Sequence, residues 1–290
     1  MIGQAARERQ PAPRTTDINE LERIARHLRR DVIELVAPTG QGYVQQGLGA
    51  ADLFAVLYFA ELRLDPSDPD WVDRDRFLLS TAHNTAVFYA TLAARGLVDR
   101  DEVRSYCCDG SPFEINASER VGTVIEATLG SLGQGLSVGI GMSLAARRRQ
   151  SPARTYVLLG DGELQEGQLW EAALFAGSAR LSNLCLIVDD NQMQVEGHIE
   201  KVVTVAPIDR KFAAFGWAVE TVDGHDIPAL LGSLDRARGR DLPTCLVART
   251  LAGKGVRSLE GVLAHNLKLP PSVAAEALAE LSDLRAENVT

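Results

Sequence analysis

Four short apolar runs, rich in β-branched residues, recur in the second half of the chain: TYVLLG, LCLIVD, WAVETV and TCLVAR. Runs of this length and composition are typical of strands that are buried on both faces of a parallel sheet. Helical segments separate the first three runs, and DIPALLGSLDRARGR separates the third from the fourth. This alternation predicts an α/β fold in which helices flank a doubly wound parallel sheet.

The first half of the chain predicts further helices and one more strand. Apolar and charged positions alternate with helical spacing from about Ile18 to Val36, and GAADLFAVLYFAEL (residues 49–62) is typical of a mostly buried helix. RFLLS is predicted to be a strand, and a helix follows in HNTAVFYATLAARG, which Gly96 closes. A glycine-rich turn, GSLGQG, leads into another helix, whereas residues 105–123 lack periodicity and are expected to form a loop.

Length and composition favour a single large domain. With 290 residues, 46% of them hydrophobic, the chain can bury a sizeable core. We expect one α/β domain over residues 17–270, a flexible lead-in at residues 1–16, and a C-terminal helix or tail at residues 271–290. The net charge of −9 argues against a nucleic-acid surface, and no apolar run approaches the roughly 18 residues that cross a bilayer. Four cysteines without CxxC spacing, and a start without an apolar signal segment, predict a cytoplasmic protein with reduced thiols.

Two predicted strands end in residues that suit a metal-assisted phosphate site. Asp161 stands between Gly160 and Gly162 after TYVLLG, and Asn191 follows LCLIVDD. Ligands bind at the carboxyl edge of such sheets, so the two side chains should converge there. One carboxylate and one amide oxygen suit Mg²⁺ or Ca²⁺ only when a ligand's phosphates complete the coordination shell, and the cation offsets the repulsion between phosphate and carboxylate. The pattern therefore predicts a clamp for a metal and a diphosphate.

A simpler interpretation stands beside this one. A GDG triplet alone is usually only a tight turn, and Asp189 and Asp190 are compatible with acids that merely solvate a strand end. The spacing to Asn191, with a helix between two strand-like runs, favours a binding site instead. We assign Asp189 no part in the clamp.

Five stretches, in order along the chain, resemble the transketolase family of thiamine diphosphate enzymes. They are TGQGYVQQGLGAADLFAVLYF, WVDRDRFLLSTAHNTAVFYATLA, IEATLGSLGQGLSVGIGMSLAARRR, GDGELQEGQLWEA with the later NQMQVEG, and ARTLAGKGVRSLEGVLAHNLKLP. The resemblance covers about residues 18–270 and is specific because the order of the motifs also matches. It implies the thiamine diphosphate-binding fold, in the form of the domain that holds the diphosphate, with thiamine diphosphate and Mg²⁺ or Ca²⁺ as cofactors.

The resemblance also implies a partner chain. In this family a second domain binds the aminopyrimidine ring and supplies the activating glutamate, and the sequence shows no counterpart of that domain. We therefore expect the N-terminal subunit of a split transketolase, which moves a two-carbon ketol unit from a ketose to an aldehyde only with its C-terminal partner. The expected assembly is an α2β2 heterotetramer.

The resemblance assigns roles to individual positions. Asp161, Asn191 and the backbone carbonyl of Met193 match metal ligands. The positions that match cofactor contacts are Gly160, Gly162, Glu163 and Asn191 on the diphosphate side, Gly130 and Leu132 on the pyrimidine side, and His83. Gly162 and Glu163 fall where backbone N–H groups hold the diphosphate. Glu166 matches an acid near the interface between active sites.

Four residues are the candidates for substrate chemistry. His83 in STAHNTA and His265 in LAHNLKLP match histidines of the substrate channel, and histidine moves protons well near neutral pH. Gln41 and Asn116 occupy places where the family usually has histidine. Both keep hydrogen bonding but cannot exchange a proton near pH 7. Because these departures cluster around the substrate, we expect a specialised donor or acceptor.

Two other classes of protein remain open at this stage. One is the α subunit of a 2-oxo acid decarboxylating enzyme, which shares the clamp and the need for a partner; SLGQGLS and EGQLWEA favour transketolase over it. The other is a non-catalytic module that kept the cofactor site, against which the intact Asp161 and Asn191 argue.

Overall fold

A parallel five-stranded sheet forms the centre of the molecule. The computed structural model describes residues 13–262 and 268–283. The strands are β1 (Arg76–Leu79), β2 (Thr155–Gly160), β3 (Leu184–Asp190), β6 (Ala218–Asp223) and β7 (Thr244–Arg249), in the spatial order β1-β2-β3-β7-β6. All four neighbouring pairs are parallel. A two-stranded antiparallel hairpin, β4 (Met193–Gln194) with β5 (Gly197–His198), follows β3. The predicted doubly wound sheet is confirmed.

Helices cover both faces of this sheet. They are α1 (Ile18–Val36), α2 (Val44–Val56), α3 (Thr85–Ala94), α4 (Arg100–Val103), α5 (Gly135–Arg148), α6 (Gly167–Ser178), α7 (Ile199–Val202), α8 (Ile208–Ala214), α9 (Ile227–Arg238) and α10 (Pro271–Asp283). A π-helical turn at Leu57–Glu61 extends α2. Within the described residues, no helix is long and apolar enough to cross a membrane.

Alternation along the strands divides the core into two layers. In β2, Tyr156 and Leu158 face the layer built with α1, α2, α3 and α9, whereas Val157 and Leu159 face the layer built with α5, α6 and α8. All four side chains are fully buried. Successive side chains of a strand point to opposite faces, so β2 contributes to both layers and its residues from Tyr156 to Leu159 are all apolar.

Helix α2 begins five residues before its predicted start at Gly49. Its first turns contain Gln45 and Gln46, which are polar but almost completely buried. The Nε2 atom of Gln45 donates hydrogen bonds to the carbonyl oxygens of Leu259 at 3.2 Å and Val262 at 2.9 Å. These partners lie more than 200 residues away along the chain, so the local pattern could not indicate that glutamine is buried there.

A buried ion pair joins the first two helices to the loop after β6. Arg29 in α1 donates hydrogen bonds to both carboxylate oxygens of Asp52 in α2 and to the carbonyl of Leu48. Asp52 also accepts from Nδ1 of His225 at 2.7 Å, while Nε2 of His225 accepts the N–H of Leu251 at 2.8 Å. His225 is therefore a structural residue that ties the segment after β7 to α2.

Candidate functional site

The carboxyl ends of β2 and β3 form the floor of a cavity. Gly160, the last residue of β2, lies opposite Asp189 in the register of β2 with β3. A cavity of about 230 Å³ opens at this edge. The sequence-predicted residues that line it are His83, Leu132, Gly160, Asp161, Gly162, Glu163, Glu166, Asn191 and Met193. The sheet topology thus brings together residues from four separate parts of the chain.

The two predicted side-chain metal ligands lie next to each other. Asp161 is 1% exposed, and its Oδ1 accepts the N–H of Gly162 at 2.8 Å. Its Oδ2 accepts the N–H of Gln192, the residue after Asn191, at 2.7 Å. Oδ1 of Asn191 accepts the N–H of Met193 at 3.0 Å, which closes the turn into the β4–β5 hairpin. Both residues line the same cavity.

Carboxyl groups are concentrated below this turn, and their pKa values indicate which ligand the site suits. Burial, reinforced by the neighbouring charges of Asp189 and Asp190, raises the pKa of Asp161 to about 8. Burial also raises the pKa of Asp189 and of Asp190. A cation at the cavity floor would stabilise the ionised form of Asp161 and reverse this shift. The residues present therefore fit a divalent cation.

No conventional metal cluster accompanies these acids. Across residues 13–262 and 268–283, no three side chains from His, Cys, Asp and Glu lie where they could jointly hold a metal ion. The predicted donors are one carboxylate, one side-chain amide oxygen and the backbone carbonyl of Met193, so they do not form such a cluster. They agree with a hard cation whose remaining ligands come from a bound phosphate.

Asp189 stabilises the strand ends, and both of its carboxylate oxygens are engaged within the protein. It is buried, and its Oδ2 accepts from Nδ2 of Asn84 at 3.1 Å. Its Oδ1 accepts from the hydroxyl of Thr250. These two contacts join the ends of β1, β3 and β7. Asp189 also lines the cavity with Asn191, and its exclusion from the clamp stays a prediction.

Glu163 has a contact that the sequence did not indicate. Its Oε1 accepts hydrogen bonds from the hydroxyl of Ser80 and from the N–H of Gly133, the latter at 2.8 Å. Its Oε2 is buried and has no hydrogen-bond partner among the described residues. Burial, opposed by these hydrogen bonds, raises the pKa of Glu163 to about 7. The expected role of this position in holding a diphosphate concerned only its backbone N–H.

His83 enters the cavity from the end of β1. It lies in a 3-10 turn, Ala82–Asn84, capped by the hydroxyl of Thr81. Nδ1 of His83 is 3.0 Å from Oγ1 of Thr81. The ring packs edge-on against Tyr43, with centroids 4.6 Å apart. Since Nδ1 is engaged by Thr81, Nε2 is the atom of His83 that we expect to face a substrate or cofactor.

The glycine-rich loop before α5 lies beside His83. Leu132 lines the cavity, and its carbonyl accepts from Nε2 of Gln168 at 3.1 Å. Gly130 has a φ of +131°, and a Cβ there would lie 3.1 Å from Nδ2 of Asn116. The same Cβ would lie 3.6 Å from Cβ of Ala82, the neighbour of His83. Asn116 is exposed and is not among the lining residues, yet it packs against this loop.

Four predicted residues are not among the described residues that line the cavity: Asn116 and Gly130, which pack against each other, and Gln41 and His265. Gln41 is exposed in the loop before α2, its backbone N–H donates to Oγ1 of Thr39 at 3.2 Å, and it is not among the lining residues. His265 falls within residues 263–267, outside the described residues. The roles of all four residues stay predictions.

Several polar residues of the site were missed from the sequence, among them Thr81, Gln46 and Ser80. Thr81 and Gln46 line the cavity, and Ser80 contacts Glu163. The signals that could have identified them are the Ser-Thr pair directly after RFLL and the pair of glutamines inside an apolar segment.

A parallel α/β sheet with a polar cavity at the carboxyl ends of its strands is the arrangement in which α/β proteins bind ligands. Residues 20–270 match the family model described as the thiamine diphosphate binding domain of transketolase. The chain is 42% identical over 257 residues to a transketolase family protein of Sinorhizobium fredii, covering 88% of this chain and 92% of the relative. The chain belongs to the transketolase family.

Relatives with names that specify one subunit match over nearly their whole length. The chain is 36% identical to a 6-deoxy-6-sulfo-D-fructose transketolase subunit of a Clostridium species, covering 90% of this chain and 96% of the relative. It is 34% identical to an apulose-4-phosphate transketolase subunit of Actinobacillus succinogenes, covering 93% of this chain and 99% of the relative. The predicted similarity to the N-terminal subunits of split transketolases is confirmed.

Solved transketolases share the fold over the whole described domain. The Campylobacter jejuni enzyme superposes with a TM-score of 0.85 at 29% identity, over 92% of this chain and 43% of that chain. The chain therefore spans less than half the length of that enzyme. Among the three classes weighed from the sequence, these matches select the transketolase-type transferases.

Proposed function

We propose that the chain binds thiamine diphosphate and Mg²⁺ in the cavity at the ends of β2 and β3. The observation that carries this proposal is the buried Asp161 carboxylate, held by the backbone of the Asn191 turn, in a domain whose family binds this cofactor. Asp161, Asn191 and the carbonyl of Met193 would hold the cation, with backbone N–H groups of Gly162 and Glu163 toward the diphosphate. The bound cofactor supplies the chemistry that breaks and makes a bond next to a carbonyl.

His83 is the residue of the described site best placed to move a proton. Its Nδ1 contact to Thr81 and its packing against Tyr43 orient the ring at the cavity wall. Asn116 and Gly130 lie near Ala82, the neighbour of His83, so an acceptor hydroxyl bound there would meet an amide instead of a second imidazole. The amide can orient a hydroxyl but cannot take its proton near pH 7.

We further propose that activity requires a separate chain that supplies the pyrimidine-binding domain and its glutamate, in an α2β2 assembly. The support is that relatives covered over 96% and 99% of their length have names that specify transketolase subunits. Ketol transfer should be absent with this chain alone and should appear on mixing with the partner. Turnover by the chain alone would contradict the requirement.

The substrate pair is proposed to differ from that of ordinary transketolase. Gln41 and Asn116 stand in places where the family usually has histidine, and two relatives at 36% and 34% identity have names that specify unusual ketoses. The reconstituted enzyme should be slow with xylulose 5-phosphate and ribose 5-phosphate. Ordinary rates with that pair would overturn this part of the proposal.

Calorimetric titration tests the cofactor site directly. Thiamine diphosphate should bind the wild-type chain only when Mg²⁺ is present, and Asp161→Asn should abolish that dependence. Asp235→Asn is the matched control because Asp235 is exposed on α9, away from the cavity. If wild type binds thiamine diphosphate with equal affinity with and without Mg²⁺, the proposed metal and diphosphate site is wrong. Tight binding without turnover of any donor by the complete assembly would indicate a non-catalytic module.

A further inference from the structure

We propose that the side chain of Glu163 is a positioning residue, which holds the loop of residues 130–135 in the conformation that presents Leu132 and Gly130 to the cofactor's ring. This inference deepens the proposed function and rests on it for the identity of the ligand. It concerns a carboxylate whose contacts lie within the protein, in contrast to the backbone role expected for this position.

A single carboxylate oxygen joins three segments of the chain. Oε1 of Glu163, in the turn after β2, accepts from the Ser80 hydroxyl at the end of β1 and from the N–H of Gly133 at 2.8 Å. Oγ of Ser80 in turn accepts the N–H of Gly135, the first residue of α5, at 3.2 Å. The loop before α5 is thus bound at Gly133 directly and at Gly135 through Ser80.

The glycines at these two positions permit the close approach. Gly133 has a φ of +83°, and a Cβ there would lie 2.7 Å from Cβ of Glu166. A Cβ at Gly135 would lie 2.4 Å from Cβ of Ser80. Both distances are shorter than two carbon atoms can approach, so only glycine, which has no Cβ, allows the loop to pack this closely at these positions. Its position then depends on the hydrogen bonds that its N–H groups donate.

A second brace acts on the same loop from the other side. Nε2 of Gln168 in α6 donates to the carbonyl of Leu132 at 3.1 Å, and Oε1 of Gln168 accepts from Nε2 of Gln134 at 2.9 Å. Gln168 is partly exposed, whereas Glu163 is 2% exposed and Ser80 is fully buried. Buried hydrogen bonds compete less with water than exposed ones, so we expect the Glu163 contacts to contribute more than those of Gln168.

The carboxylate of Glu163 is badly suited to contact a diphosphate itself. It would add a like charge beside the phosphate groups, and its Oε1 is already engaged twice. We therefore assign the side chain of Glu163 to the loop, and the anionic end of the ligand to the metal and diphosphate site. Loss of the side chain should weaken contacts on the ring side and spare those on the diphosphate side.

Two ligands, one with and one without the thiamine ring system, distinguish a loss of contacts on the ring side from a loss on the diphosphate side. We would titrate the complex of this chain with its partner, in Mg²⁺, with thiamine diphosphate and with inorganic diphosphate. Glu163→Ala should lose about tenfold or more in affinity for thiamine diphosphate, which corresponds to about 1.4 kcal/mol, while its affinity for inorganic diphosphate stays within about twofold. Glu163→Gln keeps an oxygen acceptor and should recover most of the lost affinity. Equal losses for both ligands, or no loss for either, would overturn the proposal.

A ligand-free measurement separates this inference from the proposed function. Amide hydrogen exchange at Gly133 should accelerate at least about tenfold in Glu163→Ala and should return toward the wild-type rate in Glu163→Gln. Unchanged exchange in Glu163→Ala contradicts the loop contact whatever the ligand. If exchange changes as expected but wild type binds no thiamine diphosphate, the proposed function fails and the loop contact stands.

A second variant covers the case in which Glu163→Ala does not fold. Ser80→Ala removes one donor to Oε1 and the acceptor for Gly135, and Ser80 is not among the residues that line the cavity. Ser80→Ala should have the same effects as Glu163→Ala but smaller: faster amide exchange at Gly135, and a loss of affinity for thiamine diphosphate but not for inorganic diphosphate. Unchanged exchange and affinity in folded Ser80→Ala would count against the proposal.

Discussion

The raised pKa of Asp161 should make the metal-free chain less stable as the pH rises. The unfolded carboxyl has its usual pKa of 3.8, whereas burial and the neighbouring acids raise the folded value to about 8. Between these values the folded chain holds more protons than the unfolded chain at this group. Its contribution to the free energy of unfolding is therefore complete below the unfolded pKa and is lost progressively as the pH approaches the folded pKa.

The size of the effect follows from the proton difference. One additional proton in the folded state corresponds to a slope of at most about 1.4 kcal/mol per pH unit. Between about pH 6 and about pH 7.5 the free energy of unfolding should fall by up to about 2 kcal/mol because of this carboxyl alone. Glu163, Asp189 and Asp190, whose pKa values are also raised, add to the measured slope, so only the part of the slope that Asp161→Asn removes is assigned to Asp161.

Urea denaturation in EDTA over this pH range measures the slope. Asp161→Asn should reduce the slope by up to about 1.4 kcal/mol per pH unit. The amide also leaves one of the N–H groups of Gly162 and Gln192 without an acceptor and so lowers stability at every pH. Mg²⁺ with thiamine diphosphate should remove the slope in wild type, since binding needs the ionised carboxylate. Parallel pH profiles for wild type and Asp161→Asn would refute the reasoning.

Two further predictions concern the scaffold around the site. Gly177→Ala should lower the free energy of unfolding by about 1–3 kcal/mol or more, because its Cβ would lie 1.8 Å from the carbonyl oxygen of Phe215. Gly141→Ala is the control: no atom lies within 4 Å of the added Cβ, so this variant should raise the free energy of unfolding by up to about 1 kcal/mol. Urea denaturation measures the free energy of unfolding of both variants, and equal values for the two would contradict this prediction. Arg29→Met should cost about 3–5 kcal/mol by leaving the Asp52 carboxylate buried without its guanidinium, and adding Asp52→Leu should recover much of that loss. If the losses of stability caused by Arg29→Met and Asp52→Leu simply add in the double variant, the two residues do not act as an ion pair.

Much of the scaffold could be predicted because its signals are local. The apolar runs became strands β2, β3, β6 and β7 nearly residue for residue, and the amphipathic pattern matched α1 at both ends. Strand burial and helix periodicity depend on neighbours within a few positions, so the chain displays them directly. The β4–β5 hairpin escaped prediction because each of its strands has only two residues.

The site was predictable as far as its positions follow from topology. The parallel order of β2 and β3 alone places Asp161 and Asn191 at one edge, and the structure has them side by side. The surroundings were not predictable in the same way. The buried contacts of Glu163 and Gln45 join residues 30 to more than 200 positions apart, and nothing in the local pattern marks them.

The sequence by itself thus determined which segments are strands and helices, the order of the motifs, and the identity of the groups that end β2 and β3. Only the tertiary structure decided that Glu163 contacts the loop before α5, that Asp189 is engaged by the strand ends, and that Gln41 stays at the surface. The physical reason is that secondary structure follows from short-range periodicity, whereas the partner of a buried polar atom depends on which distant segments the packed sheet brings within hydrogen-bonding distance.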